Sequence, residues 1–383
     1  MGQAQFEKAL QTQLILAENG DVIELEAGNF QVEGSLSLEG KKKITIRGKG
    51  MDKTILSFKN QTTGAEGIKI TNCENIVLED LTVQDSKGDL IKTMHVKDIV
   101  FRRIKAEWTG GPKAQNGSYA FYPVLCTNIL IDSCVAIGAS DAGIYVGQSQ
   151  YIEVKNCTAY QNVAGIEIEN SLYADVHHNH AYGNTGGILV FDLPDLIQKK
   201  GGYVQVHDNL IEENNLSNFA PKGNIVGKVP QGTGMLILAT SQVDIFNNKI
   251  INHQTVGVGI ISYFMAEIAI KDKEYDPYPT AISVYKNTFE RQLGRVPLKG
   301  RFAQIYRFKL RFGRNVPHVV YDGVLDSTRC GSDGQYLPQH RICVHDNVNQ
   351  SVANMDAEHD FKNVRREPLE LNCVQEYVKS NQF

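Results

Sequence analysis

Residues 152–190 read Ile152-Glu-Val-Lys-Asn-Cys157-Thr-Ala159-Tyr-Gln-Asn-Val-Ala-Gly165-Ile-Glu-Ile168-Glu-Asn-Ser-Leu-Tyr-Ala174-Asp-Val176-His-His-Asn179-His-Ala181-Tyr-Gly-Asn-Thr-Gly-Gly187-Ile-Leu-Val190. Two apolar residues spaced by two, a small or Asn residue three further on, and an apolar residue two beyond that occur at 152, 154, 157 and 159. The same template returns at 174, 176, 179 and 181. Working outward, it also fits Ile76-Leu78-Leu81-Val83, Ile99-Phe101-Ile104-Ala106 and Ile129-Ile131-Cys134-Ala136 on one side. On the other it fits Val204-Val206-Asn209-Ile211, Val243-Ile245-Asn248-Ile250 and Ile282-Val284-Asn287-Phe289. A fixed period of this kind is the signature of a stacked repeat, and steps of about two dozen residues suit a coil of three short strands.

A second alternating element, usually opened by Gly, precedes most copies: Gly67–Ile70, Gly143–Val146, Gly165–Ile168, Gly187–Val190 and Gly234–Ile237. Period-two alternation points one side chain inward and the next outward, so the Ile, Val and Leu positions fill a cylinder. Gly is expected to ease the corners. The column Asn179, Asn209, Asn248, Asn287 and Asn347 is read as stacked amides that satisfy one another inside a turn. An α/β reading needs helical windows between strands, and hardly any 3.6-residue pattern occurs from Gly67 to Ile260. The exception is Phe6, Leu10, Leu14 and Ile15, a stripe read as a short N-terminal cap helix that hides the end coil. The fold class is therefore an all-β, right-handed parallel β-helix: cap helix 1–20, solenoid 21–289, and C-terminal coils, loops and cap 290–383. Past Phe289 the repeat lapses and basic and aromatic residues gather between Arg301 and Arg314.

The 39 Lys and Arg against 43 Asp and Glu give a formal net charge of −4, which argues against a nucleic-acid groove. No apolar run is long enough for a transmembrane segment. Seven cysteines leave at least one unpaired within the chain. Cys134 and Cys157 stack in the ladder as buried small apolar residues, and a Cys330–Cys343 disulfide is expected in the nonrepetitive cap if the compartment is oxidising. The Met1-Gly2 start has no apolar stretch of the kind an export signal carries.

Insertions at Trp108–Ser118, Asp192–Tyr203, Asn214–Gly232 and Tyr263–Thr280 should build the functional surface. Aligning the coils puts Lys69, Lys92, Tyr122, Tyr145, Glu167, Leu189 and Leu236 in one outward row, with Gly147, Glu169, Phe191 and Leu238 beside it. Tyr122 and Tyr145 next to Glu167 would give a sugar ring an apolar platform with acids at its edge. Lys92 and Glu167 are the candidate catalytic pair, a cation to neutralise a uronate and a base to take its proton. Tyr122, Tyr145, Glu169, Trp108, Asp141 and Asp192 are the candidate substrate-binding residues, the last two at corners where Asp often bonds backbone amides. His177, His178 and His180 do not have recognised metal-ligand spacing. No metal signature is present, and calcium is left as the cation to consider.

The phrases WTGG, NGSYAFYPV, SDAGIYVGQS, NVAGIEIENS, NTGGILVFDLP and NNLSNFAPKGNIVGKVPQGTG resemble a family of exported parallel β-helix repeat proteins of Gram-negative bacteria, over about residues 20–350. The resemblance implies a periplasmic or envelope-associated protein whose export signal precedes the mature start, and it supplies no reaction. More distantly the coils are similar to pectate and alginate lyases, mannuronan epimerases and the periplasmic β-helix proteins of copper-enzyme maturation. The Asp-Pro-His signature of the epimerases is absent, since Asp276-Pro277 is followed by Tyr278. Two functions are expected to compete. One is a lyase, epimerase or hydrolase acting on a linear glycan or polysaccharide in a groove on this face. The other is a noncatalytic envelope scaffold docking a partner, such as another exported protein, and it gains if the insertions cover the face with apolar side chains.

Overall fold

The computed structural model describes residues 3–292, 304–310, 312 and 315–379. Met1-Gly2 and residues 301–303, 311, 313 and 314 of the basic stretch Arg301–Arg314 lie outside the described residues. The chain winds a right-handed parallel β-helix. Among the described residues, twelve strands, the five Gly-led ones among them, form one sheet and nineteen form a second, which folds around a corner to supply two sides of each coil. Neighbouring coils pair in parallel register, for example Ile152 with Ala174 and Ile166 with Ile188. The inward positions of the template are almost wholly buried in a continuous core running from Leu10 to Leu371. The ladder continues beyond Phe289 through Ile342–His345 and Val352–Asn354.

Polar ladders hold the corners. Each Asn of the column Asn179 to Asn347 donates to the next, as Asn209 Nδ2 does to Asn248 Oδ1 at 2.9 Å, and also to a strand carbonyl. A second ladder went unread in the sequence: Asn162, Asn184 and Asn214 stack in the same way at the next corner. His253 takes the following place in that ladder. Its Nε2 lies 3.0 Å from the Ile211 carbonyl, and burial pulls its pKa down to about 3. This ladder explains the glycines better than backbone freedom does. Gly143, Gly165 and Gly187 have ordinary φ, and a Cβ on Gly143 would fall 2.7 Å from the Asn162 amide. Gly is required because the ladder side chain of the following coil lies against it.

The N-terminal helix Gln3–Leu16 covers the first coil with Leu10 and Leu14, and Phe6 stacks on Phe30 at 3.9 Å. Ile15 faces solvent, so the apolar stripe ends one residue short of the expected reading. The disulfide joins Cys343 to Cys373 and not Cys330 to Cys343. Cys343 lies on the outward side of a strand, where the C-terminal segment returns over it. Cys330 sits in a separate small turn and keeps a free thiol, as do Cys134 and Cys157.

Candidate functional site

Strand pairing reproduces the expected row: Lys69 with Lys92, Lys92 with Tyr122, Tyr145 with Glu167, and Glu167 with Leu189 and then Leu236. The row is outward in the geometry of the strand but divided in exposure. Lys69, Lys92 and Tyr122 are half-buried, whereas Glu167 is 1% exposed and Leu189 is fully buried. The cause is the insertions. Val226 and Val229 from the 214–232 loop, and Tyr263, Ala266 and Tyr275 from the 263–280 loop, pack on Leu189, Phe191, Leu236 and Leu238 as a second apolar cluster outside the cylinder. The open groove expected along the whole row is thus confined to its upstream part.

At the boundary lies a group of carboxyls. Glu167 and Glu169 project from the same side of one strand, and Asp141 enters from the preceding corner. The Tyr145 ring folds over Gly147, where a Cβ would meet its hydroxyl at 2.0 Å, and the hydroxyl donates to Glu169 Oε1 at 2.7 Å. Asp141 accepts from Tyr119 and, at 3.3 Å, from Asn224 of the covering loop. Burial, with the Glu169 charge adding to it, pushes Asp141 up to about 7. Burial pushes Glu169 up to about 7 as well, against the Tyr145 bond. Glu167 is driven well above the carboxylate range by burial and by its two acidic neighbours, and its Oε2 has no hydrogen-bond partner among the described residues. Among these, Tyr119 and Asn224 were missed in the sequence reading. Tyr119 opens the strand Tyr119–Val124 just past the insertion Trp108–Ser118, and Asn224 is 83 residues from Asp141.

The upstream rim is built from Tyr119, Tyr122 and Tyr145, whose ring centroids are 4.4–5.2 Å apart at tilted or edge-on angles. They pack on each other and do not form the flat platform expected of Tyr122 and Tyr145. Lys92 Nζ lies 4.9 Å from the Tyr122 ring centroid and 3.7 Å from Glu66. Asp89, another residue missed in the sequence, accepts from the Tyr119 backbone N–H at 3.1 Å and is raised by burial to about 6.

Several expected site residues have other roles. Lys92 and Glu167 are three coil steps apart, roughly 14 Å at strand spacing, so they cannot serve one sugar as a pair. Trp108 is buried, with its indole N–H bonded to the Ser86 carbonyl at 2.9 Å, so it anchors its insertion and cannot stack on a ligand. Both Asp192 oxygens accept from the Gly201 N–H, at 3.0 and 2.9 Å, closing the 192–203 loop. Asp276 clamps Lys200 and Arg329, each at 2.6 Å. His177 and His180 pair with Glu153 and Glu212. Among the described residues, no group of three His, Cys, Asp or Glu side chains is arranged to hold a metal ion. No helix of the described residues is long and apolar enough to cross a membrane.

The model of the right handed beta helix region matches residues 54–191 and 113–269, which together span more than half of the chain. The chain belongs to the right-handed β-helix family. No curated protein matches it. Among solved structures, it is similar to the mannuronan C-5 epimerase AlgE4 A-module of Azotobacter vinelandii, with a TM-score of 0.56 and 14% identity over 92% of this chain and 91% of that one. The AlgE6 A-module of the same organism gives 0.52 at 16% identity, covering 75% and 82% of the two chains. DFA-IIIase from Arthrobacter chlorophenolicus A6 gives 0.51 at 10% identity over 98% and 94%. At such identities the likeness to these β-helices is one of fold.

Proposed function

We propose that this β-helix protein is an exported, carbohydrate-active enzyme that carries out acid–base chemistry on a linear, acidic glycan. The observation that carries the reading is the Asp141–Glu169 pair. Two carboxyls held near neutrality and coupled by charge share protons unequally, so at pH 7 one member serves as acid while the other serves as base. Glu169 and the Tyr145 hydroxyl, already in hydrogen-bond contact, form a proton path to the substrate. Glu167 shares the strand of Glu169 and is itself driven up by the charges of the pair, while Lys92, with Tyr122, stands at the open rim where the carboxylate of an anionic sugar would be met. Chain entry comes from the upstream side, because the 214–232 loop covers the other. The fold neighbours that act on mannuronan support a glycan substrate by analogy, and fold analogy alone does not assign a reaction. The Cys343–Cys373 disulfide supports a periplasmic or envelope location.

The test is a panel of uronate-containing and neutral glycans. Unsaturated products are followed by ultraviolet absorbance, epimers by NMR and cleaved products by mass. Glu169→Gln and Asp141→Asn should each lower turnover by about 10²–10⁴-fold, the usual weight of a general acid or base. Activity unchanged in both variants would remove the pair from the mechanism, and no turnover on any glycan would reject the enzyme reading. A second reading, a noncatalytic scaffold that docks a glycan or an exported protein, is favoured by one observation: the apolar cover over Leu189, Phe191, Leu236 and Leu238. Glycan binding without turnover would select it.

A further inference from the structure

The outer face of the other sheet carries a trough that runs along the solenoid axis. Its floor is one column of outward side chains in continuous register: Val77, Val100, Leu130, Glu153, Asp175, Gln205, Asp244, Ser283 and Cys343. The downstream end is filled by the chain's own C-terminal segment. Cys373 is bonded to Cys343, the Tyr377 and Val378 N–H groups donate to Asp244 at 2.9–3.1 Å, and Gln205 Nε2 donates to the Val378 carbonyl at 3.4 Å. Between residues 373 and 378 the segment passes two to three coils, roughly 10–14 Å, so it runs extended along the axis. Asp244 is accordingly 0% exposed and Gln205 is buried.

Upstream of Gln205 the same column is open. Glu153, Asp175, Val77, Val100 and Leu130 are only half-buried, above a cavity of about 610 Å³. One wall is a column of residues in left-handed backbone, where Asn75, Asp98 and Asn128 are followed by Tyr151, Tyr173 and Tyr203. Left-handed φ is ordinary for Asn and Asp but strained for Tyr. The three tyrosines are stacked at 5.2 and 4.9 Å, and Tyr151 closes the downstream end of the cavity.

We infer that the open half of this trough is a docking site for an extended peptide of a partner protein, one that alternates apolar with basic side chains. The occupied half shows how such a chain is read. A floor carboxylate and a floor amide, Asp244 and Gln205, bond the peptide backbone directly through their side chains. In the open half Glu153 and Asp175 stand in the same column; Lys155 and His177 pair with Glu153 through Oε1 and His207 pairs with Asp175 through Oδ1, so the second oxygen of each carboxylate is the acceptor offered. The open half then offers Val77, Val100 and Leu130 to apolar side chains and Asp98 to a cation. The site is on a different sheet from the carboxyl cluster, so its fate is independent of the proposed enzyme.

The probe is a fluorescent decapeptide of alternating valine and lysine, followed by anisotropy on the full chain. A valine–glutamate peptide and an oligouronate of similar length serve as comparators. The valine–lysine peptide should bind saturably, and roughly tenfold tighter than the valine–glutamate peptide. Leu130→Arg, with melting checked, should weaken it by at least as much, and Val77→Lys repeats the test if Leu130→Arg lowers the melting temperature. Absence of binding, equal binding of the two peptides, or binding insensitive to both substitutions overturns the proposal. An oligouronate that competes for the trough more strongly than the peptide overturns it in favour of a glycan.

Discussion

Lys69 and Leu189 occupy the same column of the same sheet, both on the outward side, and they live in opposite environments. Lys69 stands in a half-open surface, while Leu189 is buried beneath Val226, Val229 and their neighbours. Strand periodicity decides which side of the sheet a residue faces. It does not decide whether that side meets water. The 214–232 and 263–280 insertions fold back over the coils that carry Tyr145, Glu167 and Leu189, which follow one another at 22 residues, and there a second apolar cluster forms outside the first. The carboxyl group of Asp141, Glu167 and Glu169 sits on the seam between the two regimes, which is why carboxyls two residues apart on an outward strand face are raised like core acids.

The strongest way to break this comparison is to truncate its two ends. Leu189→Ala should cost about 2–5 kcal/mol, as for a core leucine, whereas Lys69→Ala should stay within about 0.5 kcal/mol, as for a surface site. Urea denaturation of both variants measures the difference. Equal, small effects would mean that the covering loops contribute no stable packing, and the buried setting of the acids would fall with them.

A somewhat smaller effect comes from pH. Asp141 and Glu169 have folded pKa values near 7, above their ordinary carboxylate values. As pH rises the unfolded chain releases these protons first, so their contribution to stability is complete below about pH 4 and is lost as pH climbs towards 7. Asp141→Asn combined with Glu169→Gln should therefore gain stability relative to wild type as pH rises from 4.5 to 7.5. Asp89→Asn, on the more open side and raised only to about 6, should gain less. Parallel denaturant midpoints for all three proteins across that range would contradict the seam.

The coil template was legible because inward positions must be apolar at every step, and that constraint is written locally. The row Lys92, Tyr122, Tyr145, Glu167 was legible for the same reason. What closes over it was not, because Asn224 reaches Asp141 across 83 residues and Val226 reaches Leu189 through a loop with no periodicity. Trp108 misled because an aromatic in an insertion reads equally as platform or anchor, and only its bond to the Ser86 carbonyl separates the two. The disulfide misled likewise. Cys330 is nearer to Cys343 in sequence, but Cys373 is brought back over the outward face by a segment the repeat pattern does not describe.

The smallest expected effect lies at Lys92, and it sharpens the comparison from the open side. Its partner Glu66 is 3.7 Å away, and both side chains are 21% exposed, so the pair should contribute no more than about 1 kcal/mol to stability. Lys92→Met retains most of the aliphatic stem that lies near Tyr122 and removes only the charge, so melting should barely move. If the rim receives anionic sugars, the same change should weaken binding of an oligouronate by a few-fold, leave a neutral oligosaccharide untouched, and flatten the salt dependence of the first, because exposed charges act through a screened field. Isothermal titration at low and physiological salt separates the cases. A loss shared equally by charged and neutral glycans would assign Lys92 to the shape of the rim, and no loss in either would put the entry of the chain elsewhere on the sheet.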